Sequence, residues 1–486
     1  MLAWLKTPPP LRKRVGMRVN FKIKFMFEEY FEAKKRLYPQ KVKGKIRSLK
    51  NALNFIFLSI FFFTPFLRFD RGESAPNQAI MIDLPNARAY FFNIEIWPQE
   101  TYYLAGILIL AAVALFFVTS LFGRIWCGYA CFQTVWTDIF IALERLFQGD
   151  RNERILLDRK NNFKKYARKT LTHASWIIVS ILTGYGFVNY FYDVFSLGEN
   201  IFHGEIPANA LGWSLGIAGM TYLMAGFARE HVCTFMCPYA RFQSAMFDNN
   251  TLIISYDEKR GEPRAKAPKD GDFKNRGDCI DCKQCVVVCP TGIDIRNGLQ
   301  MECIACGLCV DACNNIMDKM GLPKGLIRYD TISHLLDPKP EKKFKIFKAR
   351  TFFYGAILLV VSALMLYSLI AKPTLEIAAI PDRNPMFVML ADGSVRNGYQ
   401  IKISNKTHED KNYSLSIIEP KEAVLKSQIS DISSLNVGAG KVGEFKIFII
   451  LPADFLAQND EGRGLVKFAI SDENQQKQIE AVFISR

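Results

Sequence analysis

The sequence has no C-x-x-C-H haem-attachment motif and no G-x-G-x-x-G turn following a strand. A c-type haem and a flavin or nicotinamide domain are therefore unsupported. No His pair stands at haem-like positions in the apolar stretches, and no nucleic-acid-binding motif is present. Cysteine is missing after Cys313, so the C-terminal part has no disulfide framework. No short apolar core with a small-residue cleavage site follows Met1, so no removable signal peptide is expected. The loop Asp193–Pro207 has no Lys or Arg, although the chain as a whole carries a formal net charge of +15.

What is present is apolar and basic at once. The chain has 486 residues, too many for one compact core. It contains 39 Phe, and dense Lys and Arg lie beside long apolar runs. This combination fits a membrane protein whose soluble parts carry the charge. The positive charge then reads as membrane topology, not nucleic-acid binding.

All 12 cysteines lie between Cys127 and Cys313, and eight of them form two complete runs. Cys279, Cys282, Cys285 and Cys289 are spaced C-x-x-C-x-x-C-x-x-x-C and are followed by Pro290. Cys303, Cys306, Cys309 and Cys313 repeat the spacing and are followed by Asn314. This is the bacterial ferredoxin pattern for 4Fe–4S clusters, in which the fourth Cys of each run ligates the other cluster. One cluster is expected on Cys279, Cys282, Cys285 and Cys313. The other is expected on Cys303, Cys306, Cys309 and Cys289. Structural zinc also uses C-x-x-C pairs, but two complete four-cysteine runs argue for iron. The small residues Gly292, Ala305 and Gly307 are expected to leave room for the clusters. Such thiolate-held clusters suit a reducing compartment, the cytoplasm.

Apolar stretches near Asn51–Leu67, Tyr102–Phe122, Leu171–Phe191, Ala208–Ala228 and Phe352–Ile370 predict about five membrane helices. Lys and Arg concentrate before the first stretch, in Gly123–Lys169 and in Arg229–Arg350. By the positive-inside rule the N-terminus and the ferredoxin insert face the cytoplasm, and the tail lies outside. The organisation expected is a basic segment 1–50, four spans over 51–228 with a cytoplasmic loop 123–169, a ferredoxin domain 229–350, a fifth span 351–371 and an outer β-domain 372–486. The tail alternates polar and apolar residues in Gln400–Ser404, Tyr413–Ile417, Phe445–Ile449 and Val466–Ile470. An antiparallel β-sandwich is expected there, with a docking or structural role.

Four cysteines remain, in two pairs spaced C-x-x-x-C: Cys127 with Cys131, and Cys233 with Cys237. Each pair follows a predicted span on the cytoplasmic side. Residues four apart share a helix face, so each pair is expected to present its sulfurs together. Four thiols of this kind suit a soft metal, Cu(I) especially, or redox chemistry through a disulfide. Four buried cysteines filling tight helix contacts would look the same in sequence. The residues alone leave both readings open. His231 could add a nitrogen ligand, or serve a charged interfacial role beside Arg229 and Glu230.

Several stretches together resemble the cytochrome c oxidase accessory family called CcoG, FixG or RdxA. They are Gly123–Asp138, Arg229–Asp248, Tyr256–Arg264 and Gly277–Cys313, with Arg36–Lys45 and Gly325–Thr331. The resemblance implies an inner-membrane protein with a cytoplasmic two-cluster ferredoxin insert and a periplasmic immunoglobulin-like tail. It implies reduction of Cu(II) to Cu(I) for assembly of a cbb-type oxidase. The partners so implied are the lipid bilayer, a cytoplasmic electron donor, copper or its chaperone or transporter, and oxidase assembly factors. Phe132 stands where the family has Pro, which leaves the turn of the first pair open. Two other readings stay in view: a quinone-linked respiratory ferredoxin, and a non-catalytic assembly scaffold.

Overall fold

The computed structural model describes residues 37–485 apart from 73–74, 268–275, 337–343, 428–433, 453–462 and 473–475. The basic clusters at Arg12–Arg14 and Lys34–Arg36 lie outside the described residues.

Five helices among the described residues are long and apolar enough to cross a membrane: Lys45–Phe66, Pro98–Phe122, Phe163–Val188, Ala208–Met236 and Ala349–Ile370. They are the five apolar stretches of the sequence, with shifted ends. The first helix starts ahead of Asn51 because Lys50 is buried inside it, 3.8 Å from Asp138. The fourth runs past Ala228 because π-helical turns, Tyr222–Ala228 and Val232–Met236, carry it on.

The segment between the second and third spans is not an open loop. It folds into helices, of which Phe132–Gln148 is the longest. Val135, Trp136 and Phe140 of this helix pack on Trp176 of the third span, Ala225 of the fourth and Leu58 and Phe61 of the first. Phe140 stacks on Trp176 with ring centroids 5.2 Å apart. The apolar pattern does not reveal this helix as a packed one because its buried side also carries acids. Asp138 meets Arg47 at 2.8 Å and the amide of Asn54 at 3.1 Å. Glu144 meets Arg154 at 2.9 Å and Arg229 at 3.1 Å. A buried carboxylate is tolerated only where such partners replace its water.

The loop between the first two spans forms a small antiparallel sheet of Ile80–Asp83, Arg88–Phe91 and Ile94–Ile96. It docks on the C-terminal domain. Glu100 pairs with Lys372 at 2.8 Å and with Lys406 at 2.5 Å, and Arg88 donates to the Gly440 carbonyl at 2.6 Å. The tail and this loop therefore share one end of the helical bundle. The inner helix and the ferredoxin unit occupy the other end.

The tail is a two-layer β-sandwich. One sheet runs Val424–Ser427, Val442–Leu451, Val395–Asn405, Leu375–Pro381, and the other Leu435–Val437, Lys411–Glu419, Arg463–Ser471, Gln476–Ile484. All four alternating stretches read in the sequence lie in these strands. Their inward residues, among them Ile401, Ile403, Leu415, Ile447, Ile449 and Phe468, form one core.

In the ferredoxin unit, strand Ile253–Tyr256 pairs antiparallel with Ile327–Asp330. Helix Gln284–Val287 carries Cys285 of the first run, and helix Leu308–Lys319 carries Cys309 and Cys313 of the second. The unit is tied to the first span. The carboxylate of Asp311 accepts the N–H groups of Ile46 at 3.3 Å and Arg47 at 2.8 Å. An acidic group at a helix N-terminus also meets the positive end of the helix dipole.

Candidate functional site

The two ferredoxin runs adopt the same backbone. Asp281 (φ 50°) and Lys283 (φ 57°) flank Cys282 in the left-handed region, and Ala305 (φ 52°) and Gly307 (φ 73°) flank Cys306 in the same way. Such curls turn successive N–H groups toward one concavity, which favours a negatively charged guest. The expectation that small residues here make room for the clusters is corrected for Gly292 and Gly307. A Cβ on Gly307 would come within 2.8 Å of both Ile46 and the Tyr329 hydroxyl, and one on Gly292 within 2.6 Å of Leu37. These residues permit the turn and the close approach of neighbouring chain; the space for a cluster lies elsewhere.

That space is a pair of cavities. Cys279, Cys282, Cys285 and Cys313 line one. Cys289, Cys303, Cys306 and Cys309 line the other, together with Cys285. The last cysteine of each run is thus carried to the cavity of the opposite run. Burial pushes the thiols of Cys285, Cys303 and Cys313 up to about 12. Bare, they keep their protons at neutral pH, and a thiolate-bound metal must displace them. Two separate four-sulfur sets, one at each cavity, fit two 4Fe–4S groups. Asn314 differs from Pro290 in letting its helix continue to Lys319, and its side-chain oxygen accepts the Gly325 N–H at 3.0 Å.

The other four cysteines meet beside the second cavity. Cys127 and Cys233 both pack against the cluster of Val288, Ile304, Cys306 and Leu308. Cys131, Cys233 and Cys237 all stand within electrostatic reach of Cys127. Burial first, then Cys131, pushes the Cys127 thiol up to about 12. The segments are cross-linked by hydrogen bonds. Cys127 donates to Gln243 at 3.3 Å, and the Gln243 amide donates to the Gly123 carbonyl at 3.1 Å. Gln133 donates to the Met224 carbonyl at 3.0 Å and the Arg229 carbonyl at 3.3 Å. Arg124 reaches the carbonyls of Ala240 and Met301. His231 stacks on Phe235, with centroids 5.8 Å apart.

The helix-face expectation for these pairs is corrected. Cys127 lies in the short helix Ile125–Tyr129, whereas Cys131 is extended and begins the next helix. Cys233 lies in a π-helical turn, and Cys237 is again extended and begins a helix at Pro238. Each second cysteine donates its N–H to the carbonyl five residues back: Cys131 to Trp126 at 2.9 Å, Cys237 to Val232 at 2.8 Å. Phe132 therefore makes the turn that Pro238 makes. Pro is well suited to a first helical position, but nothing there demands it. Arg229 sets the approach of the second pair. Its backbone is left-handed (φ 38°), and its guanidinium is held by Glu144 and by the Gly226 carbonyl at 2.8 Å.

Gly128, between the first two thiols, touches the second ferredoxin run directly. A Cβ there would lie 2.7 Å from the Ile304 carbonyl oxygen and 2.9 Å from the Cys306 Cα. Tyr129 adds a hydrogen-bonded link, through Tyr329 at 3.0 Å, to the Ala305 carbonyl at 2.8 Å. Sequence reasoning missed Arg124, Gly128, Tyr129 and Gln243 as parts of this site. Their nearness to the C-x-x-x-C pairs was the available signal. Among the described residues, no three His, Cys, Asp or Glu side chains are grouped to hold a single metal ion.

Comparison with known proteins agrees with this architecture. Residues 228–332 match the model of a 4Fe–4S dicluster domain, and residues 104–149 match that of a 4Fe–4S binding domain. Residues 365–486 match the IG-like fold at the C-terminal of FixG. The chain is 39% identical to nitrogen fixation protein FixG of Rhizobium meliloti over 472 residues, covering 90% of each. It is 40% identical to protein RdxA of Cereibacter sphaeroides, covering 88% of this chain and 92% of that one. Protein RdxB of the same organism is also 40% identical, over 85% of this chain and 88% of that one. With identity at this level across nearly its whole length, the chain belongs to the FixG/RdxA family of membrane iron–sulfur electron-transfer proteins.

Proposed function

We propose that this protein carries electrons from a cytoplasmic donor to the membrane, where they reduce Cu(II) to Cu(I) for assembly of a cbb-type cytochrome c oxidase. The observation that carries the reading is the contact between Gly128 and the Cys306 loop. Gly128 lies between Cys127 and Cys131, and its contact with the Cys306 loop supports a short path from the second ferredoxin set to these thiols. Bound 4Fe–4S clusters supply one-electron transfer. The protein's own residues hold the geometry. Asp311 fixes the ferredoxin unit on the first span, and Tyr329 fixes the Ala305 turn. Copper here is substrate, and the soft Cu(I) product favours sulfur.

The test is anaerobic. Protein reduced with dithionite and desalted is mixed with Cu(II) and a Cu(I)-specific chelator. Cluster reoxidation with one Cu(I) formed per electron is expected. Reoxidation by a quinone and not by Cu(II) would instead support the respiratory-ferredoxin reading. Reoxidation by neither would leave an assembly scaffold. A Cys306→Ser protein controls for copper reduction by free thiols.

We also propose that the ferredoxin unit faces the cytoplasm and the tail the periplasm. The Lys and Arg asymmetry across five spans supports this. Alkaline phosphatase fused after Asp330 should be inactive in cells, and after Asn405 active. The opposite pattern would invert the orientation.

A further inference from the structure

Two ferredoxin sets use eight of the 12 cysteines. We propose that the remaining four, Cys127, Cys131, Cys233 and Cys237, hold a third 4Fe–4S cluster between the ferredoxin unit and the membrane helices. The inference rests on the electron-transfer reading but not on copper as the acceptor.

The first argument is one of ligand count. Residues 104–149 match a 4Fe–4S binding domain, yet that stretch contains only Cys127 and Cys131. Two sulfurs cannot complete a cubane, which is held by four thiolates. Cys233 and Cys237 are the pair left, and the fold delivers them to the same place. The Gln243–Gly123 and Gln133–Arg229 hydrogen bonds lock the two segments together.

The second argument is the repeated backbone. Both pairs place an extended cysteine five residues after the carbonyl that accepts its N–H, at the start of a helix. Two like arms facing each other present four sulfurs from two sides. Four cysteines serving only to fill space would not require one backbone device to be built twice.

The third argument separates iron–sulfur from copper. A lone Cu(I) is held by soft ligands drawn close about one ion. These four sulfurs are not grouped in that way, and neither are the eight of the ferredoxin runs. A cubane takes one sulfur at each of four iron corners and accepts the wider spread. Arg124, bonded to the Ala240 and Met301 carbonyls, stands where it offsets the negative charge of such a cluster.

The experiment uses the full chain in detergent, after anaerobic reconstitution with iron and sulfide. About twelve iron and twelve sulfide per chain are expected for three cubanes. Replacing all four cysteines by Ser should lower both counts to about eight while the two ferredoxin EPR signals remain, which shows the variant to be folded. Cys127→Ser with Cys131→Ser, and Cys233→Ser with Cys237→Ser, should each lose the same iron as the quadruple variant. Gly128→Ala should keep the iron but weaken the magnetic coupling between the third cluster and its neighbour. About eight iron in fully reconstituted wild type would overturn the proposal. So would stoichiometric copper bound through the four thiols with iron unchanged by their loss. Iron content reads the site, and Cu(II) reduction reads the function, so either can fail alone.

Discussion

Cys282→Ser and Cys306→Ser are expected to abolish two different 4Fe–4S signals, each change removing about four iron atoms per chain and leaving the other ferredoxin signal intact. The two residues occupy equivalent places in the two runs and line separate cavities. The sharper pair is Cys313→Ser and Cys289→Ser. Cys313 belongs to the second run by sequence but lines the first cavity, so its loss should reproduce the Cys282 phenotype. Cys289 should reproduce that of Cys306. Copper-dependent reoxidation should fall with either signal if electrons use both sites in turn. EPR and iron analysis on anaerobic protein decide the matter. Grouping of Cys313 with Cys306 would sink the crossed assignment.

Glu144→Gln is expected to cost about 3–5 kcal/mol, the usual range for breaking a buried ion pair. Glu144 is 1% exposed, and its carboxylate meets both Arg154, which is fully buried, and Arg229. The amide keeps the shape and removes the charge that both guanidiniums share. Thermal unfolding in detergent should shift down by on the order of 10 °C. Pairing the change with Arg154→Met should recover part of the loss, since it removes one of the two guanidiniums that shared the lost carboxylate. Arg229 connects this result to the redox site, because its left-handed backbone directs the chain toward Cys233. A midpoint within about one degree of wild type would show that the pair contributes nothing net.

The ferredoxin unit was legible because cluster ligation is written in short spacings. Three cysteines two apart must curve around one guest whatever the rest of the chain does. The spans were legible because hydrocarbon selects long apolar helices. The sandwich was legible in its strands, whose alternation reports a sheet with one wet face. The loop sheet at Ile80–Ile96 was not legible, its strands being three or four residues long with no sustained alternation. The inner helix Phe132–Gln148 falls in sequence within a basic loop, and the acids Asp138 and Glu144 on its buried side give no apolar signal of packing. Their partners, Arg47, Lys50, Arg154 and Arg229, come from three other segments.

The membrane cysteines show the boundary most clearly. Sequence alone determined that two C-x-x-x-C pairs follow two spans, and that eight other cysteines carry the ferredoxin spacing. The family resemblance, with Phe132 in place of the usual Pro, left the turn of the first pair open. Only the tertiary structure decided that the two pairs meet, that Phe132 makes the same turn as Pro238, and that Gly128 rests on the Cys306 loop. The reason is physical. Ligand spacing within a run is local and survives in the chain as a pattern. The meeting of Cys127 with Cys233 depends on how whole helices pack and which buried charges hold them, and no short stretch of sequence records that.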